Sequence, residues 1–181
     1  VKRTVCVVGA SLTVLFSSPV MMLTALLIKL ESPGPVVYVQ ERMGLDAKPF
    51  PMLKFRSMRA DAETNGPGWT VKNDPRRTRF GAIIRRISLD ELPQLWNVLV
   101  GDMSLVGPRP MMMDQKELYP GSAYYALRPG LTGTWQISDR NQSTFAQRAE
   151  FDAAYERNLS FFRDLKILLA TVGVVLRATG K

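Results

Sequence analysis

After Lys2 and Arg3 the chain runs without a charged side chain over residues 4–28, and Lys29 closes the stretch. About 20 apolar residues cross a bilayer core of roughly 30 Å, so the run is long enough for a membrane helix and overshoots the apolar core of a typical secretory signal. Ser17-Ser18-Pro19 sits inside it. Proline removes a backbone donor and clashes with the preceding turn, so it kinks a helix. Residues 4–18 and 19–28 would form arms of roughly 22 and 15 Å, each too short to span. A bent, re-entrant helix that enters and leaves by one face fits these lengths. A spanning helix with a tolerated kink is the alternative. Lys2/Arg3 and Lys29 flank the run, and the positive-inside preference would hold both ends on the cytoplasmic side.

Beyond the run, Glu31-Ser-Pro-Gly-Pro35 reads as a rigid exit turn. Residues 36–42 and 50–56 are predicted as two short strands around a turn at 44–49. Residues 65–68, Asn-Gly-Pro-Gly, read as a loop. From about Thr78 the pattern turns helical, broken at Gly107-Pro-Arg-Pro110 and at Arg128-Pro-Gly130. Residues 146–158 are predicted as a charged helix with an apolar stripe at Phe151, Ala154 and Tyr155. A last helix over 160–176 places Phe161, Leu165, Leu168, Leu169, Val172 and Leu176 at helical spacing. Packing of that stripe into the core is the ordinary expectation. Lying along a membrane interface, with Arg163, Lys166 and Arg177 snorkelling, is the alternative. No repeat is evident. The fold expected is mostly α with a small β hairpin, an α+β arrangement.

Composition narrows the chemistry. The 181 residues carry a net charge of +8, one cysteine and no histidine. A Ser-His-Asp triad, a Cys-His dyad and a His-bearing zinc or haem site are excluded, and so is a disulfide framework. What remains is carboxylates, hydroxyls, amines, guanidiniums and a hard metal held through oxygen. Between Lys54 and Arg109 ten cations face six acids, a bias that implies a polyanionic partner or else a solvated basic face. No helix-turn-helix, zinc finger or RNA-binding strand signature accompanies them, so nucleic acid is not expected as a partner.

Ser88-Leu-Asp-Glu-Leu-Pro-Gln94 is the densest candidate. Ser88 with Glu91 matches a capping box. Pro93, however, would then remove a real helical hydrogen bond, whereas with Asp90 as the cap it falls where no donor is needed. Asp90 over a helix N-terminus, with Glu91 as a second oxygen ligand for Mg²⁺, would make a carboxylate nucleophile toward phosphorus feasible; an ordinary helix start stays open. Gly107-Pro-Arg-Pro110 holds Arg109 on a stiffened turn that suits a phosphate clamp or is simply structural.

Taken in order, these segments resemble the bacterial sugar transferase family, the monotopic phosphoglycosyl transferases of polysaccharide assembly. The carriers are Lys2-Arg3 ahead of Ser18-Pro19, Glu31-Ser-Pro-Gly-Pro35, Gln40-Glu-Arg42, Lys54-Phe-Arg-Ser-Met58 and Asn73-Asp-Pro-Arg76. Ser88–Gln94, Gly101-Asp-Met-Ser-Leu-Val-Gly-Pro-Arg-Pro110 and Arg128-Pro-Gly-Leu-Thr-Gly133 follow. Thr134-Trp-Gln-Ile-Ser-Asp-Arg-Asn141 and Leu176-Arg-Ala-Thr-Gly180 most resemble exopolysaccharide-production members. The resemblance implies transfer of galactose or glucose 1-phosphate from a UDP-sugar to undecaprenyl phosphate, releasing UMP, with Mg²⁺ as cofactor. It implies Asp90 as the nucleophile that forms a phosphosugar-enzyme intermediate, Glu91 as its partner in holding the metal, and Lys54, Arg56, Arg85 and Arg109 around the phosphates. Ser18-Pro19 would break the membrane helix and make it re-entrant. Residues 1–34 would then be the membrane segment and its exit turn. Residues 35–181 would be the catalytic domain on the cytoplasmic face of the bacterial inner membrane, with amphipathic helices at the interface. Many relatives carry aspartate where Cys6 stands, so any contact made by that aspartate is in doubt here.

Overall fold

The computed structural model describes residues 2–62, 74–138 and 144–176. The expected loop at 65–68, Lys72, Asn73, residues 139–141 and residues 177–180 lie outside the described residues.

The apolar run forms one helix, α1, Lys2–Glu31, with Pro19 inside it. By length and composition it is the one helix among the described residues apolar enough to cross a membrane. Pro19 deprives the Leu15 carbonyl of its helical donor, and Ser18 Oγ donates to that same carbonyl at 2.8 Å. Ser17 Oγ and Thr13 Oγ1 likewise donate one turn back, to Thr13 O at 2.6 Å and Gly9 O at 2.8 Å. Such back-bonding sustains the helix across a proline and bends it. The chain therefore continues through Ser18-Pro19 as helix.

Both ends of α1 rest on the rest of the molecule. Cys6 and Ala10 enter the central core, while Ile28 joins Phe55 and Ile84 in a second cluster. At the start, Arg3 Nη2 donates to Leu99 O at 2.7 Å and Arg3 Nη1 to Val98 O. Lys2 Nζ pairs with Asp164 Oδ2 at 3.2 Å and reaches the Tyr155 hydroxyl. The middle instead faces outward: Leu15, Phe16, Pro19, Val20, Met22 and Leu23 are all exposed. Cys6 is buried, and its Sγ accepts from Leu105 N at 3.5 Å, so this position is an apolar contact with a weak acceptor.

The exit turn is tied to the predicted hairpin, which is present as β1, Val37–Met43, paired antiparallel with β2, Pro49–Phe55. Phe50 and Met52 face inward between exposed Pro49 and Pro51, a period-2 pattern, and Phe55, three residues after Met52, is buried as well. Two short helices follow, α2 (Arg79–Arg86) and α3 (Gln94–Val100). Then comes a second sheet that the pattern did not predict: β3, Ser104–Val106, parallel to β4, Gly130–Thr132. These strands adjoin the two Gly-Pro segments read above as breaks. The glycines are there because the backbones nearly touch: a Cβ on Gly130 would lie 2.1 Å from Gly107 N.

Helix α4, Thr134–Ile137, leads to α5, Phe145–Arg157. Thr144 caps α5 reciprocally with Gln147, Gln147 N donating to Thr144 Oγ1 at 3.3 Å and Thr144 N to Gln147 Oε1 at 2.7 Å. The final helix, α6, spans Phe161–Leu176. Most of its stripe is not in the core, and the ordinary expectation holds only for Leu168, which is half-buried against it. Only Ile167 is buried; Phe161, Leu165, Leu169, Val172 and Leu176 are exposed, Leu176 at 80% and neighbouring Phe162 at 78%. Ile167 does enter the central core and Leu168 of the stripe packs against it, so α6 is anchored along one edge while the rest of the stripe stays exposed.

Candidate active site

Residues 88–94 do not form a capped helix start of either expected kind. Ser88 adopts a left-handed conformation, φ 58°, and its side chain makes no capping bond. Leu89–Glu91 is a single 3₁₀ turn, and α3 begins at Gln94 with Pro93 as its N-terminal cap. A non-glycine residue in the left-handed region is strained, and here the strained turn redirects the chain between α2 and α3. It leaves Asp90 on that turn, buried at 6% exposure.

Asp90 is held neutral more readily than an ordinary carboxyl. Burial, and next the charge of Glu91, push its pKa up to about 6; Lys54, Arg85 and Arg109 pull the other way. Glu91 is the half-buried partner. Its Oε1 lies 3.1 Å from Lys54 Nζ and 3.7 Å from Arg109 Nη2. Lys54 comes from β2, and Arg109 from the Gly107–Pro110 turn after β3, whose two prolines are buried and fix it. Arg85 comes from the last turn of α2. Burial lowers its pKa, and Asp90 opposes that. Three of the four expected phosphate binders thus surround the Asp90–Glu91 pair, each supplied by a different element.

Arg56 does not join them. It is buried at 6% exposure, and its guanidinium donates to Pro33 O and Ser32 O, both at 2.7 Å, and to Ser32 Oγ at 3.0 Å. Gly34, at φ 113°, is required beside it, since a Cβ there would lie 2.3 Å from Arg56 Nη1. The residue fastens the exit of α1 to the end of β2, which is structural work. Ser18 and Pro19 lie mid-helix in α1 and not at this site.

A narrow cleft opens beside Glu91, lined by Lys54, Glu91 and Arg109 together with Arg42, Gln94 and Gln136 among others. The last three carried no assigned role in the sequence reading. Arg42, on β1, donates to Gln40 Oε1 at 2.6 Å and to Pro110 O at 3.5 Å; burial and the nearby Arg109 lower its pKa to about 10. The hairpin signal together with Gln40-Glu-Arg42 could have placed it. Gln94 falls three residues after Glu91, nearly one helical turn, a spacing that could have flagged it. Gln136 carried no such signal.

Among the described residues no group of three or more His, Cys, Asp or Glu could hold a metal. Chemically, the cleft wall presents Glu91, already paired with cations, and Asp90, the residue before it, is a desolvated carboxylate buried behind that wall. More cations are in reach to stabilise a phosphoanion.

The bacterial sugar transferase family model matches residues 1–178. The chain is 41% identical to the "UDP-galactose-lipid carrier transferase" of Erwinia amylovora over 99% of its own length and 41% of that protein. It is 41% identical to the "Exopolysaccharide production protein ExoY" of Rhizobium meliloti, covering 99% and 87%. With the "UDP-glucose:undecaprenyl-phosphate glucose-1-phosphate transferase" of Caulobacter vibrioides the identity is 43%, covering 97% and 69%. The chain thus spans about two fifths of the length of the Erwinia relative, and the same share of an uncharacterized sugar transferase of Haemophilus influenzae.

Proposed function

The chain belongs to the bacterial sugar transferase family, and on that premise we propose that it is a phosphoglycosyl transferase. It moves galactose or glucose 1-phosphate from a UDP-sugar to undecaprenyl phosphate and releases UMP, the first membrane step of exopolysaccharide repeat-unit synthesis. The Erwinia relative named for UDP-galactose and the Caulobacter relative named for UDP-glucose support both sugars. The observation that carries the reaction is buried Asp90 beside a Glu91 held by Lys54 and Arg109.

Asp90 attacks the phosphorus that bears the sugar. The new Asp90 O–P bond forms as the P–O bond to UMP breaks, and the electron pair leaves with UMP. A phosphate oxygen of the polyprenyl carrier then attacks the same phosphorus and expels Asp90 as a free carboxylate. A buried carboxylate is poorly solvated and so has less water to shed before attack. Lys54, Arg85 and Arg109 oppose the charge that builds on the phosphoryl oxygens. Glu91, neutralised by its two cations, keeps Lys54 and Arg109 in register. Asp90 and Glu91 are also the hard oxygen donors that would hold Mg²⁺, whose sparse protein ligation substrate phosphates commonly complete; when bound, the ion offsets diphosphate charge.

Membrane placement follows from the apolar surfaces. Both ends of α1 rest on the domain while its middle is exposed, which favours residues 1–34 dipping into one leaflet over spanning. Exposed α6 lies along the interface with Arg163 and Lys166 beside its apolar stripe. Residues 35–181 then face the cytoplasm from the inner membrane, where a soluble UDP-sugar and a lipid-borne phosphate both reach Asp90.

Solubilised protein given a UDP-sugar, undecaprenyl phosphate and Mg²⁺ releases UMP, and omission of either lipid or metal abolishes turnover. Release of UDP, or wild-type activity in Asp90→Asn, refutes the reading.

A further inference from the structure

Two glutamines in the cleft wall lack partners that their burial demands. Gln94 is 3% exposed and Gln136 7%. Among the described residues, Gln94 Nε2 and both amide atoms of Gln136 are buried with no hydrogen bond, although both side chains line the cleft with Glu91 and Arg109. Buried amides are ordinarily bonded, because leaving one unmatched forfeits its hydration with no return. An unmatched pair beside a reaction site is what a ligand would complete.

The atoms specify the ligand. A phosphate oxygen only accepts hydrogen bonds, so it suits arginine and lysine and cannot satisfy the carbonyl of a carboxamide. Gln136 offers an acceptor and a donor side by side, whichever way its amide is turned. Its counterpart must therefore also carry both, as a sugar hydroxyl or the imide of uracil does. Neither group is charged, and the cations of the cleft, which only donate, leave the donor half of either one unmatched.

We propose that Gln94 and Gln136 form a neutral subsite that reads a donor-and-acceptor group of the nucleotide-sugar next to the cations that hold its diphosphate. The inference rests on the transfer reading above. It makes these glutamines specificity determinants and assigns them no part in the bond-breaking steps.

The test uses Gln136→Leu and Gln94→Leu in the full chain, compared with wild type in thermal stability, in KM and kcat for UDP-galactose and UDP-glucose, and in inhibition by UMP. Leucine fills similar space without an unmatched amide, so melting temperature stays level or rises while KM increases roughly tenfold. If the subsite reads a sugar hydroxyl, the galactose-to-glucose KM ratio changes and UMP inhibition does not. If it reads uracil, both sugars weaken alike and UMP inhibition falls by a similar factor. Wild-type KM and wild-type UMP inhibition in both variants overturn the subsite, and so does a lowered melting temperature with both constants unchanged. Failure of the wild-type protein to release UMP from any UDP-sugar strikes the transfer reading instead, so the two failures are distinguishable.

Discussion

Replacing Asp90 by asparagine should make the protein more stable while it abolishes turnover. In the folded chain Asp90 titrates near pH 6, against about 3.9 for an aspartate in an unfolded chain. The native state therefore holds the proton more tightly between those values, and the stability this group contributes falls as pH rises from about 4 to about 6. At 1.36 kcal/mol per pH unit the full loss is about 3 kcal/mol, with the pull of Lys54, Arg85 and Arg109 already included. Asparagine keeps the shape and cannot ionise. Relative to wild type, Asp90→Asn should gain little at pH 4 and up to about 3 kcal/mol at pH 8. For a chain of this length that is roughly 6–12 °C in melting temperature. Thermal unfolding of both proteins in one detergent, scanned across that pH range beside a UMP-release assay, reads the difference directly. An Asp90→Asn advantage that is absent, or independent of pH, refutes the claim that burial of an ionised carboxylate dominates this site.

The same titration predicts that kcat/KM for the UDP-sugar climbs with pH up to about 6 and levels above it, since only the ionised carboxylate attacks; a profile flat from pH 5 to 7.5 counts against Asp90 as nucleophile. Arg56→Ala removes three hydrogen bonds to the exit turn and should lower stability by about 2–4 kcal/mol in denaturation measurements, with KM of the surviving enzyme unchanged. Arg109→Ala should do the reverse, cutting turnover on the order of 100-fold at nearly wild-type melting temperature. On α6, Phe162→Asp with Leu169→Asp should weaken flotation with anionic vesicles while leaving the fold intact, because both side chains are exposed.

How far the sequence discloses the fold depends on what each element's signal contains. The β1–β2 hairpin was legible to within a residue because alternation and turn residues are local properties. The β3–β4 pair was not. Three-residue strands are too short to show a period, β3 is buried throughout, and the glycines at 107 and 130 look like turn punctuation until the partner backbone is in view. For α6, helical spacing states which side chains share a face and is silent on whether protein or lipid meets that face. That only Ile167 and Leu168 of this helix meet the central core is a tertiary fact.

The site divides along the same line. Asp90, Glu91, Lys54, Arg85 and Arg109 could be read from charge and ordered motifs, because anionic substrates demand charge. Arg56 satisfied the same criterion and serves the exit turn, since a guanidinium matches backbone carbonyls as well as phosphates. Gln94 and Gln136 carry no charge to draw attention. What distinguishes them is burial without a partner, which exists only once the chain has folded around the cleft. On the proposed reading, recognition of the phosphates is written largely in residue type, whereas recognition of the neutral part of the donor is written in unmet hydrogen bonds. If the subsite reads a sugar hydroxyl, substitution of Gln136 should shift donor preference between galactose and glucose, and if it reads uracil the preference should stay put while UMP binding weakens.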